Sequence, residues 1–139
     1  FNAGMEKAAK EDKAILIDFY TDWCHWCKVM DAKTFSDDKV AQKLKERFVA
    51  IKLNAEDARQ SVTFNNKTLT NVQLTQSFGI TGFPSLAFLE STGKVITIVP
   101  GFVPPDQFIH ILEYIDQKCY QKDVSFDDFL KSGGCKNKS

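Results

Sequence analysis

The sequence predicts an α/β domain, a β-sheet covered by helices, and three observations predict it. Runs rich in β-branched and aromatic residues recur at 14–20, 48–53 and 85–89. Between and after them lie stretches with helical apolar spacing and capping residues, clearest at 37–48 and 104–118. Two cysteines, Cys24 and Cys27, sit directly after the first apolar run, where a strand hands over to a helix.

Composition sets the bounds. The chain has 139 residues, enough for one domain with its own core, and is 43% hydrophobic and 26% charged, ordinary values for a folded protein. Lys plus Arg and Asp plus Glu number 18 each, so no charge excess points to nucleic acid or an anionic membrane surface. No apolar run is long enough to span a bilayer. The chain begins Phe1-Asn2-Ala3 without an initiator methionine and is read as trimmed, with a secretory signal removed.

Taken in order, residues 2–11 predict a short helix with Asn2 as N-cap and Met5, Ala8 and Ala9 as its apolar stripe. Residues 14–20 predict a buried strand, interrupted by Asp18. A carboxylate inside such a strand must be protonated or paired, unless the pleat turns it to solvent. The helix carrying the cysteines runs from Cys24 to about Ala32. Ser36 or Asp37 caps the next helix, with Val40, Leu44 and Phe48 on its buried side, and a strand follows at 48–53.

Residues 61–70 predict a hairpin with Asn65-Asn66 in its turn. Thr70 or Asn71 caps a helix that reaches Phe78 and stops at Gly79. Pro84 precedes the strand 85–89, because proline cannot donate within a ladder. Ser91-Thr92-Gly93 turns the chain into an edge strand at 94–99, broken by Pro100-Gly101. Pro104-Pro105 opens a helix to about Lys118, its stripe Phe108, Ile111, Leu112 and Ile115, with His110 outside. Ser125 caps a last short helix, whose Phe126, Phe129 and Leu130 need cover.

The chemistry concentrates at Cys24-His25-Trp26-Cys27. A helix start offers unpaired N–H groups and the positive end of the helix dipole, which favour an anion. The Cys24 thiolate is such an anion. Cys27, one turn on, faces the same way and can close a short disulfide with it. That is the geometry of a dithiol that attacks another disulfide and resolves the intermediate. A structural disulfide or half of a zinc site stays open as the alternative.

Four segments in order resemble the thioredoxin superfamily: Asp18 with Trp23-Cys24-x-x-Cys27-Lys28, then Lys52-Leu53-Asn54, then Gly82-Phe83-Pro84-Ser85-Leu86, then Gly101. They span residues 3–118. Trp-Cys-His-Trp-Cys followed by Met30 and Phe35-Ser36-Asp37 is most similar to bacterial extracytoplasmic thioredoxin-like thiol:disulfide oxidoreductases. The small thioredoxins carry Gly-Pro between their cysteines instead. The resemblance implies a thioredoxin-like fold, a central mixed sheet flanked by helices, with a hairpin-like insertion near 55–72. It also implies a thioredoxin-like domain at 1–120 and a helical extension at 121–139 packed on it.

The resemblance further implies roles. Cys24 attacks, Cys27 resolves, and Asp18 moves the proton of Cys27. Phe83-Pro84, with a cis peptide, receive the substrate backbone, although a core aromatic is the other reading of Phe83. Trp23 and Trp26 form an apolar contact surface, and His25 and Lys52 tune the site. The insertion shapes partner choice or is a tolerated surface excursion. Cys119 and Cys135 either pair or stay as free thiols. A bond between them would close about 17 residues, worth about 3 kcal/mol, and would argue for an oxidising compartment.

The expected function is therefore reduction of protein disulfides by mixed-disulfide exchange. No cofactor is expected beyond the Cys24–Cys27 disulfide itself, and no metal. The expected partners are protein disulfide or dithiol substrates and an upstream electron donor, a membrane thiol-electron transporter being one candidate. The protein is read as a monomer in the bacterial periplasm, with the cytoplasm as alternative. A disulfide oxidase or isomerase is the nearer alternative function. A non-catalytic docking module using Trp23, Trp26 and Phe83 is the more distant one. Zinc is the least suited, because only His25 and His110 are available and no second CxxC exists.

Overall fold

The computed structural model describes residues 1–122 and 124–132. Cys135, and with it the choice between a bond to Cys119 and two free thiols, lies outside the described residues. Strand β1 (Ala14–Tyr20) is the centre of a four-stranded sheet ordered β2-β1-β5-β6. It runs parallel to β2 (Phe48–Asn54) and antiparallel to β5 (Ser85–Leu89), which pairs antiparallel with β6 (Val95–Pro100). The sheet is thus mixed, as the resemblance implies.

Strand alternation divides the core into two layers. Ile15, Ile17 and Phe19 pack on one face against Ala8 of helix α1 (Asn2–Glu11) and Leu74 of α4 (Asn71–Ser77). Leu16 packs on the other, with Met30 of α2 (His25–Met30), Val40 and Leu44 of α3 (Asp38–Arg47), and Phe108 and Leu112 of α5 (Pro105–Asp116). Asp18, two residues from Leu16, shares the second face.

The hairpin forms as its sequence predicts. Strands β3 (Ser61–Phe64) and β4 (Lys67–Thr70) are joined by Asn65 and Asn66 at φ 51° and 66°, the left-handed pair that a two-residue turn requires. Thr70 caps α4 in a capping box with Gln73. The hairpin lies on the first face, where Val62 is buried and Phe64 packs on Phe78 with centroids 5.4 Å apart.

Several expectations need correction. Asn2 is not the N-cap of α1; Phe1 holds that position. Asn2 instead pairs its amide with the β3 backbone, donating from Nδ2 to Thr63 O at 2.9 Å and accepting the Thr63 N–H on Oδ1 at 3.2 Å. A strand edge with a free N–H and C=O recruits it. Ala9 is exposed, and Met5 and Ala8 carry the contact. Pro100 ends β6 opposite Ser85 rather than breaking it, since an edge strand tolerates a missing donor. Helix α5 ends at Asp116, closed by Lys118 at φ 57°, and its Ile111 is only half-buried.

The last helix, α6 (Phe126–Ser132), is capped by Ser125, whose Oγ accepts the Asp128 N–H at 3.1 Å. Phe126 and Phe129 both meet Tyr114 of α5 with centroids 5.5 Å apart. Leu130, one residue round the helix from Phe129, is 47% exposed rather than covered.

Candidate active site

The site lies where β1 ends and α2 begins. Cys24 is the N-cap of α2, extended at φ −77°, and its Sγ accepts the Cys27 N–H at 3.1 Å. The helix start is therefore capped by sulfur, the atom type that carries charge when the pair is reduced. Cys24 and Cys27 are disulfide-bonded, with Cα atoms 5.3 Å apart. Both are covered, at 3% and 6% exposure.

The helix does not stop at Ala32. It continues as a π-helical turn over Asp31–Phe35, and Asp37 caps α3 by accepting the N–H groups of Lys39 and Val40 at 3.1 Å. The widened turn places Thr34 fully inside, where its Oγ1 donates to Val103 O at 2.5 Å. It also aims Asp31 at β2, with Oδ2 2.7 Å from Lys52 Nζ. Lys52 lies over the Tyr20 ring as well, 5.6 Å from its centroid.

Asp18 is buried, and its Oδ1 has no hydrogen-bond partner among the described residues. Burial is the main cause that raises its pKa from 3.8 to about 6; Lys52 opposes the rise and Asp31 adds to it. The β1–β2 register sets this up, because Asp18 pairs directly with Lys52. The Lys52–Asp31 pair is about half exposed, so its own stabilisation is small.

Three loops complete the rim. The Phe83–Pro84 peptide is cis; Pro84 is buried and Phe83 half-buried. Gly101, at φ 85°, donates its N–H to Pro84 O at 2.8 Å and so joins the 101–104 loop to the proline loop. Phe83 meets Trp23 edge-on with centroids 6.2 Å apart, and Phe102 meets Trp26 at 5.6 Å. His25 lies edge-on to Trp26 at 5.4 Å. Trp23 and Trp26 are 66% and 54% exposed, so both aromatic pairs beside the cysteines in sequence are open to solvent.

The fold thus brings together Cys24, Cys27, Trp23, Trp26, His25, Phe83 and Pro84 at one rim, with Asp18 and Lys52 paired on the strands beneath. Thr34, Asp31, Phe102 and Glu56, whose Oε1 accepts the Trp23 Nε1–H at 2.7 Å, were missed by sequence reasoning. Phe102 follows Gly101 directly and could have been found from that neighbour. The others act across long sequence distances and leave no local signal. Among the described residues, no group of three or more His, Cys, Asp or Glu is placed to hold a metal ion.

A sheet of this order, with a CxxC disulfide at the β1–α2 junction and a cis-proline loop joined to it through the Trp23–Phe83 contact, defines the class of thioredoxin-fold proteins. The chain belongs to the thioredoxin-like domain family, whose model matches residues 1–116. It is 32% identical over 109 residues to the thiol:disulfide interchange protein DsbD of Actinobacillus pleuropneumoniae, covering 77% of this chain and 17% of that protein. It is 34% identical over 114 residues to DsbD of Neisseria meningitidis, covering 80% of this chain and 17% of that one. The chain therefore spans about a sixth of the length of these relatives. Among solved structures, the reduced C-terminal domain of Neisseria meningitidis DsbD matches 81% of this chain and 90% of its own, at 33% identity and a TM-score of 0.61. A thioredoxin-fold protein of Helicobacter pylori matches 88% of this chain and 80% of its own, at 25% identity and a TM-score of 0.74.

Proposed function

We propose that the chain is a thiol–disulfide oxidoreductase that reduces disulfides in protein substrates through Cys24 and Cys27. The observation that carries this reading is the Cys24–Cys27 disulfide at the start of α2, its Cys24 sulfur accepting the Cys27 N–H. In the reduced form the Cys24 thiolate attacks one sulfur of a substrate disulfide and forms a mixed disulfide. The other substrate sulfur leaves as a thiolate and takes up a proton. Cys27 passes its proton to Asp18, and its thiolate attacks Cys24 Sγ in the mixed disulfide. The Cys24–Cys27 bond forms and the second substrate thiol leaves. Two electrons pass from the protein to the substrate.

The surroundings support each role. A buried carboxylate with a pKa near 6 suits proton transfer at neutral pH. The disulfide's cover and its flanking tryptophans favour a macromolecular substrate that fits the rim. Names of the relatives, thiol:disulfide interchange proteins, agree with exchange as the reaction. The Cys24–Cys27 dithiol carries the electrons, and an upstream dithiol donor reduces the disulfide back to it; a membrane thiol-electron transporter fits that need. An extracytoplasmic location belongs to the same proposal. Among the described residues no helix is long and apolar enough to cross a membrane.

The test uses reduced Cys24→Ser and Cys27→Ser variants against a disulfide-bonded protein such as insulin. Cys27→Ser should accumulate a mixed disulfide at Cys24, and Cys24→Ser should form none. A mixed disulfide at Cys27 would reverse the roles, and none in either variant would remove the exchange reading.

A further inference from the structure

Among the described residues, Asp18 Oδ1, Thr21 Oγ1 and Asn71 Oδ1 are buried side-chain atoms without a hydrogen-bond partner. Asp18 has its part in the proposed proton transfer, and Asn71 is anchored through Nδ2 to Asn54 O at 3.1 Å. Thr21 is 2% exposed and has only its hydroxyl to satisfy; a valine would fill the same space without burying an unpaired donor. Thr21 follows β1 directly. The Cys24 N–H donates to the Thr21 carbonyl at 3.4 Å, closing a turn with Asp22 and Trp23 exposed at its tip and Thr21 and Cys24 buried at its ends. Ala55 N–H donates to Tyr20 O at 2.8 Å and Phe19 pairs with Ser85, so the strand entering the turn is held from both sides. The hydroxyl therefore has a fixed place in the turn that carries the Cys24 sulfur.

We propose that the Thr21 hydroxyl donates to the Cys24 thiolate that forms when the disulfide is reduced. The proposal rests on the reading of Cys24 as the attacking thiol. In the disulfide, Cys24 Sγ is uncharged and accepts the Cys27 N–H. A dithiol reductant breaks the Cys24–Cys27 bond, gives up two electrons and becomes a disulfide. Cys27 keeps one of its two protons, the other passes to solvent, and Cys24 remains a thiolate. A charged acceptor draws a stronger hydrogen bond than a neutral one, and the thiolate has room for a second donor. The hydroxyl that is unpaired in the disulfide form thus gains its partner in the reduced form. It favours the ionised Cys24 and eases reduction of the pair. Asp18 and Asp22 from β1 and its turn, His25 and Lys28 from α2, and Lys52 and Glu56 from β2 and its loop carry the other charges around the turn. None of them changes when Thr21 alone is replaced.

The test compares wild type, Thr21→Val and Thr21→Ser by two readouts. The first is the rate of Cys24 alkylation by iodoacetamide against pH in the dithiothreitol-reduced protein, with Cys24 and Cys27 told apart by fragment mass spectrometry. The second is urea unfolding of the oxidised protein. Thr21→Val should displace the Cys24 profile to higher pH, slowing alkylation on its acid side by about three- to ten-fold, the range expected for losing one hydrogen bond to a charged group. Thr21→Ser keeps the hydroxyl and should restore the profile. Oxidised Thr21→Val should be at least as stable as wild type, because it loses only an unpaired donor. An unmoved profile overturns the proposal, as does a displacement seen at Cys27 alone or equally in both variants. A less stable oxidised Thr21→Val overturns it too, since the hydroxyl would then be paired before reduction. Insulin reduction by wild type is measured alongside; its absence removes the oxidoreductase reading, while the alkylation profile still decides the Thr21 bond.

Discussion

Asp18 shows how one residue couples the fold to the chemistry. Strand alternation puts it on the face of β1 that looks toward α2, inside the core, where a carboxylate resists ionisation. The folded form holds the proton up to a pH of about 6, whereas an exposed Asp loses it near 3.8. Stability from this group is therefore full below about pH 4 and lost as pH rises through about 6. The difference corresponds to stability on the order of 3 kcal/mol withheld at neutral pH. Asp18→Asn cannot ionise. Urea unfolding of the oxidised protein should show it more stable than wild type by about 2–3 kcal/mol at pH 7.5, with the gap closing near pH 4. The same substitution should slow resolution of the mixed disulfide by on the order of 100-fold. A stability gap independent of pH would mean that Asp18 is ionised or paired in the folded protein.

The π-helical turn is the element with the most consequences for the site. In this turn Thr34 points inward to Val103 and Asp31 reaches Lys52 on β2. Thr34 then holds Val103, next to the Phe102 that supports Trp26. Thr34→Val keeps the shape and removes the donor, leaving Val103 O buried without it. Urea unfolding should show a loss of about 1–3 kcal/mol. Quenching of Trp26 fluorescence by acrylamide should rise as the 101–104 loop loosens. Unchanged stability would show that the bond contributes nothing net. No residue type announces a π-helical turn, which explains why the sequence predicts an ordinary helix ending near Ala32. The hairpin was legible for the opposite reason: Asn65-Asn66 between two β-prone runs leaves few other conformations.

At the scale of the whole molecule, β1 was legible to the residue because its apolar run is long and bounded by polar residues. The mixed sheet and the roles of Asp18, Phe83 and Pro84 came from the resemblance, not from periodicity. What stayed hidden depends on contacts across the fold: Asn2 on Thr63, Glu56 on Trp23, Thr34 on Val103. In each, a side chain meets a group 33 or more residues away. Asn2 shows the general difficulty. Its type suits an N-cap, but a free strand edge across the fold competes for the same amide, and only the assembled molecule decides between them.

The central claim is a reversible two-electron couple at Cys24 and Cys27 that serves reduction. Its most direct test is equilibration of the protein with a glutathione series. The redox state of these two cysteines would be read by alkylation and peptide mass spectrometry. The account predicts a single reversible transition near about −250 mV or lower, the range of reductases recharged by a donor. A transition above about −180 mV would make the protein a disulfide donor or isomerase instead, and the absence of any reversible transition would contradict the account altogether.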